Sequence, residues 1–373
     1  MNAVDEDDAA VAALAGLPYM SWDRLRTLLA DDPPSSVWDA VRGGRHGPGL
    51  ARAAARVRLT DVAAAHAAAG VQVRRLGTEA YPGELAEDHE CPAALFTLGS
   101  LEGLARPRVA IVGTRRCTNY GRDVARELGR TLAEAGVAVV SGLAAGIDGA
   151  AHEGALAGGG APPIGVVGSG LDVVYPRRHA RLWERVAQAG ALLSEAPLGA
   201  RPEPWRFPAR NRILAALAHV LVVVESHLAG GSMHTVRAAE ERDVPVLVVP
   251  GPIRSRASAG TNQLLSQGCH PVCDAQDVLA ALALRRAGPV PLTLVGSGRV
   301  AGAAGDDGSG LMEWRSPPTP EAEAVLDALD WTPTSLDTLL ARIDRPPSRV
   351  SMALAWLERE GWAQSQSGWW QRC

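Results

Sequence analysis

Six short apolar runs, at residues 109–112, 137–140, 164–167, 191–193, 220–224 and 244–249, constrain this chain more than any other feature. They are rich in valine and lack the in–out alternation of a half-exposed strand, so each predicts a strand buried on both faces. Helical patterns fall between them, at 121–135, 148–157, 179–189, 210–218 and 232–242. Two more, at 261–267 and 274–284, follow the last run. That rhythm predicts an α/β domain whose parallel sheet is covered by helices on both faces. In such a sheet, ligands collect beyond the carboxyl ends of the strands.

The segments leaving those ends are rich in glycine and arginine. The first is Gly113-Thr114-Arg115-Arg116, and the second is Ser141-Gly142, reaching Asp148 and His152. The third runs from Gly168-Ser169-Gly170 to Tyr175-Pro176-Arg177-Arg178. The fifth gives Glu225, then Gly230-Gly231-Ser232-Met233-His234-Thr235, and Phe207-Pro208-Ala209-Arg210-Asn211-Arg212 leads into that strand. Glycine-led turns into helices offer free N–H groups at the positive end of a dipole. Guanidinium forks hold phosphates and an aromatic ring stacks a base. Plainer roles exist for some of these residues: Asp148 and Ser232 as helix N-caps, His152 and His234 as structural or surface histidines. The arginines, expected at or beside strand-end loops, are read as ligand-binding.

Several chemistries are excluded or disfavoured. All 37 basic residues are arginine. Without lysine there is no Gly-Lys-Ser/Thr phosphate loop and no Schiff-base catalysis by a lysine side chain. A dinucleotide site lacks both its Gly-x-Gly-x-x-Gly after the first strand and a carboxylate after the second. No Gly-x-Ser-x-Gly or His-Glu-x-x-His motif occurs; Glu225 and Asp148 could form an acid–base pair only if the fold brings them together. Cys91, Cys117, Cys269, Cys273 and Cys373 are scattered, and no metal site or cofactor is expected. No run of about 18 apolar residues occurs, and the acidic start at Asp5-Glu6-Asp7-Asp8 does not resemble a signal peptide. A membrane partner is therefore not expected, and the reducing cytoplasm is. The net charge of −4 leaves room for a local basic groove.

Outside the sheet, residues 1–75 read as a small helical domain with helices at 9–17, 21–29, 36–42, 50–57 and 61–69 and a Trp22/Trp38 core. The sheet domain is expected over 76–285, a Gly/Pro/Ala/Ser-rich flexible linker over 286–318, and a last domain over 319–373. That last segment has helical patterns at 320–329, 335–342 and 348–360. A two-stranded ribbon at 361–365 and 368–371 follows, which is the order of a winged helix. From Arg315 onward six arginines face eight carboxylates. A duplex reader is normally basic on its docking face, so a protein-contact or regulatory role is expected, with Trp362, Trp369 and Trp370 as either a contact patch or packing of the wing and core.

At these residues the chain resembles the DprA/Smf family, the DNA-processing proteins of bacterial natural transformation. The shared blocks include Gly113-Thr114-Arg115-Arg116, Tyr120-Gly121, Ser141-Gly142 through Gly146-Ile147-Asp148, Tyr175-Pro176 and Ser194-Glu195. Phe207 to Arg212, Gly231-Ser232 with Thr235, Val249-Pro250-Gly251 and Gly260-Thr261-Asn262 follow in family order. The resemblance implies an extended Rossmann-like domain, a sterile-alpha-motif-like helical domain before it and a winged helix after it. It implies a non-enzymatic homodimer that binds and protects single-stranded DNA and loads the RecA recombinase in transformation or recombination. The family's pocket falls on Arg115, Phe207, Arg210 and Asn211. The full DNA-contact set is expected to add Gly113, Arg116, Ser141, Gly142, Arg212, Gly231, Ser232 and Thr235. Ala145 stands where many members carry a basic residue, and Met233-His234 replaces a Leu-Ile pair. An alternative from another class is a nucleotide-processing enzyme of the lysine-decarboxylase-like phosphoribohydrolase group. It would use the Gly230-Gly231 turn and Glu225.

Overall fold

The computed structural model describes residues 5–287, 319–329, 334–343, 345–359, 363–366 and 369–372. The expected linker lies largely, and Trp362 and Cys373 wholly, outside the described residues. The chain divides into two compact units, Met1–Leu292 and Thr293–Cys373.

In the first unit, five helices come first: α1 (Glu6–Ala15), α2 (Trp22–Leu28), α3 (Pro34–Arg42), α4 (Pro48–Ala54) and α5 (Leu59–Ala69). The sheet strands are β1 (Gln72–Arg75), β2 (Ala94–Gly99), β3 (Arg108–Val112), β4 (Ala138–Ser141), β5 (Ile164–Val166), β6 (Ala191–Ser194), β7 (Val220–Val223), β8 (Val246–Val248) and β9 (His270–Pro271). Between and after them lie α6 (Gly83–Ala86), α7 (Asn119–Glu134), α8 (Ile147–Gly158), α9 (Ala180–Ala189), α10 (Arg206–Leu217), α11 (Ser232–Glu240), α12 (Ala259–Ser266) and α13 (Ala275–Ala287).

The strand order is β1-β2-β6-β5-β4-β3-β7-β8-β9. All six expected strands are present and pair in parallel from β6 to β9. The sheet is nonetheless mixed: β2 runs antiparallel to β6, and β1 antiparallel to β2. Alternate residues of each strand serve opposite faces. Val109 and Ile111 of β3 pack with α7, α8 and α13, whereas Ala110 and Val112 pack with α10, α11 and Leu264 of α12.

The N-terminal helices share a continuous core with the sheet. Leu14, Trp38 and Val41 join Phe96 of β2, Leu192 of β6 and Trp183 of α9 in one buried cluster. The acidic start is built into that junction. Asp5, Asp7 and Asp8 place carboxylate oxygens 2.9, 3.1 and 2.5 Å from the Arg75 guanidinium on β1, and Asp7 also accepts the Ser35 N–H.

The second unit holds α14 (Pro320–Ala328), α15 (Leu336–Arg342) and α16 (Pro347–Arg359), with β10 (Thr334–Ser335), β11 (Ala363–Gln366) and β12 (Trp369–Arg372). The β11–β12 ribbon and the short β10 form an antiparallel three-stranded sheet. Val325, Leu339, Val350, Leu354 and Leu357 fill its core. This is the expected winged helix.

Candidate nucleic-acid interface

From β3 the chain builds β4, β5 and β6 to one side and then returns to add β7, β8 and β9 on the other. The crevice at that reversal, between the carboxyl ends of β3 and β7, is the natural ligand position of an open α/β sheet. A cleft of about 510 Å³ opens there. The β3 loop lines it with Gly113, Thr114, Arg115 and Arg116, α10 with Phe207, Arg210 and Asn211, and the α11 entrance with Gly231, Ser232, His234 and Thr235. Five arginine or histidine residues line it (Arg115, Arg116, Arg210, His227 and His234) against a single carboxylate, Asp148.

The helix carrying the arginines begins earlier than the sequence suggests. The helical pattern is expected from residue 210, yet α10 starts at Arg206 and takes Pro208 into its first turn. There the missing N–H has no intrahelical partner to lose. Because α10 runs back beneath the sheet from the rim, its first turns place Phe207, Arg210 and Asn211 on the crevice. Asn211 donates from Nδ2 to the Gly231 carbonyl at 3.4 Å, tying α10 to the glycine turn before α11.

Three arginines are buried among the described residues: Arg108, Arg210 and Arg212. Two are saturated. Arg108, at the opposite rim, donates to the carbonyls of Leu217, Leu104 and Arg106 and pairs with Glu84. Arg212 donates to the Glu90 and Ala209 carbonyls and pairs with Glu195 at 2.6 Å. Arg210 is different. Its Nη1 donates to the Val166 carbonyl at 2.8 Å, and its Nε has no partner. Gly142 lies against this guanidinium, and a Cβ there would collide with it. Burial lowers Arg210 to about 10, opposed by the nearby charge of Asp148, so it remains a cation at neutral pH.

Asp148 is not an N-cap. It is the second residue of α8, and its Oδ2 accepts the Gly142 N–H at 3.2 Å. Burial raises its carboxyl above the usual carboxylate range, while Arg210 pulls the other way. Ser232 is likewise the first residue of α11, after the N-cap Gly231. Its hydroxyl donates to the Ser226 Oγ.

Arg115 and Arg116 are exposed, and neither has an ion pair among the described residues. The Arg115 guanidinium lies 4.6 Å from the Phe207 ring centroid. Two expected contact residues depart from this group. Ser141 is fully buried, its hydroxyl donating to the Ile111 carbonyl at 2.6 Å. Arg212 points to the other side of α10, against Glu195 and, at 4.5 Å, the ring of Trp22. Gly142 borders a smaller recess beside the cleft. The sequence reading missed Thr114 and His227 as lining residues; His227 follows the β7 end closely enough for strand position alone to have flagged it.

Glu225 and Asp148 form no acid–base pair in this cleft. Glu225 is 1% exposed, and its two oxygens accept the Thr118 N–H at 2.8 Å and the Thr118 hydroxyl at 2.6 Å. The carboxylate thereby anchors the start of α7. The Asn262 side chain bridges both backbone groups of Gly251, so the Val249-Pro250-Gly251 and Gly260-Thr261-Asn262 blocks serve to hold a loop.

The sequence profile of DNA recombination-mediator protein A matches residues 72–283. The chain belongs to that family. The DprA winged helix domain profile matches residues 313–368, so the DprA architecture extends to the second unit. The chain is 42% identical over 206 residues to the Smf protein of Escherichia coli strain K12, covering 55% of each, and so spans about half the length of that relative. The X-ray structure of DprA from Streptococcus pneumoniae superimposes with a TM-score of 0.64 at 31% identity, over 75% of this chain and 98% of that one. A DprA from Helicobacter pylori, whose structure concerns its single-stranded DNA binding mode, gives a TM-score of 0.51 at 32% identity. That match covers 57% of this chain and 96% of the other. No described helix is long and apolar enough to cross a membrane.

Beneath the cleft, His152 of α8 carries a pH dependence. Its ring is fully buried, and burial, reinforced by the charge of Arg210, lowers its pKa from 6.5 to about 4. The unfolded chain therefore takes up this proton first. The stabilising effect is complete above pH 6.5 and is lost as the pH falls through 4, by an amount on the order of 3 kcal/mol. Half-buried His219, also lowered to about 4, acts in the same direction. Urea unfolding of wild type and His152→Gln between pH 7 and 4 is expected to show a flatter acid limb in the variant; parallel curves would show that His152 does not govern it.

Proposed function

We propose that the cleft binds single-stranded DNA with little regard for sequence, and that the protein acts as a non-enzymatic recombination mediator. In this reading it works as a homodimer through the sheet domain, protects the strand and loads the RecA recombinase onto it. The observation that carries the DNA reading is Arg210, a buried cation lining the open cleft whose guanidinium is only partly used within the protein. The other buried arginines use their guanidinium groups within the protein. A buried donor left unpaired is costly, and a phosphate oxygen is the acceptor that a guanidinium fork suits. Arg115, poised over Phe207, adds an exposed cation next to a stacking ring, the combination that holds unpaired strands of any sequence. The DNA-recombination family and the single-stranded DNA mode of the Helicobacter pylori relative support the same ligand.

The RecA and dimer elements rest on the family resemblance. For the winged helix, the excess of carboxylates over arginines favours a protein partner over duplex DNA. Of its two described candidate patch residues, Trp369 on β12 is 52% exposed, whereas Trp370 packs against the core of the unit. The deciding experiment is a gel-shift titration with an unstructured oligonucleotide and its matched duplex at two ionic strengths. Preferential, salt-weakened binding of the single strand is expected. Equal affinity for the duplex, or no salt dependence, would remove the reading.

A further inference from the structure

Across Phe207 from the main cleft lies a second recess of about 50 Å³, bounded by Ala145, Val167, Ser169, Tyr175, Pro176 and the Phe207 ring. Arg115 and Ala144 line both cavities, so Phe207, with the Arg115 guanidinium over it, forms the partition between them. The Tyr175 ring stands 5.6 Å from that of Phe207, centroid to centroid, at a tilt of 43°. Tyr175 is 42% exposed, so its ring is available to a ligand and is not part of the core.

The recess has a different chemistry from the cleft. Arg115, on the partition, is the only charged residue lining it among the described residues. The Ser169 hydroxyl is already donated to the Val173 carbonyl at 2.7 Å. A phosphate would find little here to replace its water, whereas the flat, weakly hydrated surface of a nucleobase suits an aromatic wall. The volume exceeds the share of one water, enough for the edge of a base whose face lies on Tyr175. Ala145 contributes only a methyl group, which leaves the space open. Arg177 and Arg178 follow directly after Pro176; both are exposed and neither has an ion pair among the described residues.

We infer that this recess is a second nucleobase seat. A base of the bound strand stacks on Tyr175, and the backbone passes from Arg115 on one side toward Arg177 and Arg178 on the other. The inference rests on the reading that the main cleft holds single-stranded DNA, and it makes the binding track longer than that cleft.

The test compares full-length wild type, Tyr175→Phe, Tyr175→Ala, Ala145→Leu and Arg115→Ala in oligothymidylate titrations at several salt concentrations. Loss of one stacked base is expected to weaken Tyr175→Ala about tenfold. Its salt slope should not change, because every phosphate keeps its cation. Tyr175→Phe should bind like wild type, and Ala145→Leu, which fills the recess, should weaken binding like Tyr175→Ala. Photo-crosslinking with 5-iododeoxyuridine oligonucleotides should label Tyr175. If Tyr175→Ala and Ala145→Leu bind like wild type while Arg115→Ala does not, the second seat is refuted and the cleft reading stands. If Arg115→Ala also binds like wild type, both fall.

Discussion

Replacing Arg115 with alanine is expected to weaken binding of an unstructured oligonucleotide by about 10- to 100-fold, the range of a charge-assisted hydrogen bond of roughly 1.5–3 kcal/mol. The plot of log affinity against log salt should flatten by about 0.7, because one phosphate fewer is neutralised by the protein. Both effects follow from one placement: the guanidinium is exposed, has no carboxylate partner among the described residues, and lies 4.6 Å from the centre of the Phe207 ring. The fold should not suffer, since the side chain is not part of the core, and an unchanged urea midpoint would confirm that. Unaltered affinity with an unaltered salt slope would mean that the strand does not pass over Phe207.

The second large effect separates two arginines of one sequence motif. Arg212→Ala is expected to destabilise the protein by about 3–5 kcal/mol, because it leaves the largely buried Glu195 carboxylate without its partner. The pair is closely made, at 2.6 Å, with side chains 6% and 13% exposed. Arg212 also donates to the Glu90 carbonyl and faces Trp22 of the N-terminal helices, so the damage should include the seam between those helices and the sheet. Under conditions where the variant remains folded, its affinity for single-stranded DNA should stay within about twofold of wild type, since roughly 1.4 kcal/mol would be needed for a tenfold loss. Urea denaturation and oligonucleotide titration of the same preparation test both halves. Weakened binding at undiminished stability would make Arg212 a DNA ligand and overturn the assignment.

Arg210 and Arg212 show why parts of the site were not legible. The sequence places them two residues apart in one motif, which made both expected DNA contacts. On α10 they lie about 200° apart around the helix axis, so one faces the crevice and the other the N-terminal helices. The helix expected over 210–218 already separates them; the sequence did not show which side of it faces the crevice. Ser141 was misplaced for a related reason. As the last residue of β4, it presents its side chain to the interior, where it binds the Ile111 carbonyl.

The strands divide in the same way. β3 to β8 were legible because their apolar residues run without alternation. β1, Gln-Val-Arg-Arg, has only one apolar residue, and β9 has two residues in all. Such segments are strands only because a neighbour supplies their hydrogen bonds. β1 and β9 therefore had no local signature, whereas β2, Ala-Leu-Phe-Thr-Leu-Gly, is a buried apolar run that the sequence pattern left out of the sheet.

By itself, then, the sequence determined the α/β class, the crowding of glycine and arginine at one rim, the winged-helix order and the family. These follow from local composition and spacing, which each segment carries within itself. Only the tertiary structure decided which arginine keeps a free donor, which carboxylate is spent on anchoring a helix, and that Tyr175 stands beside Phe207. Those outcomes depend on which distant groups meet. A guanidinium binds a ligand or a neighbour according to whether a carboxylate or carbonyl from another part of the chain has already taken its hydrogens.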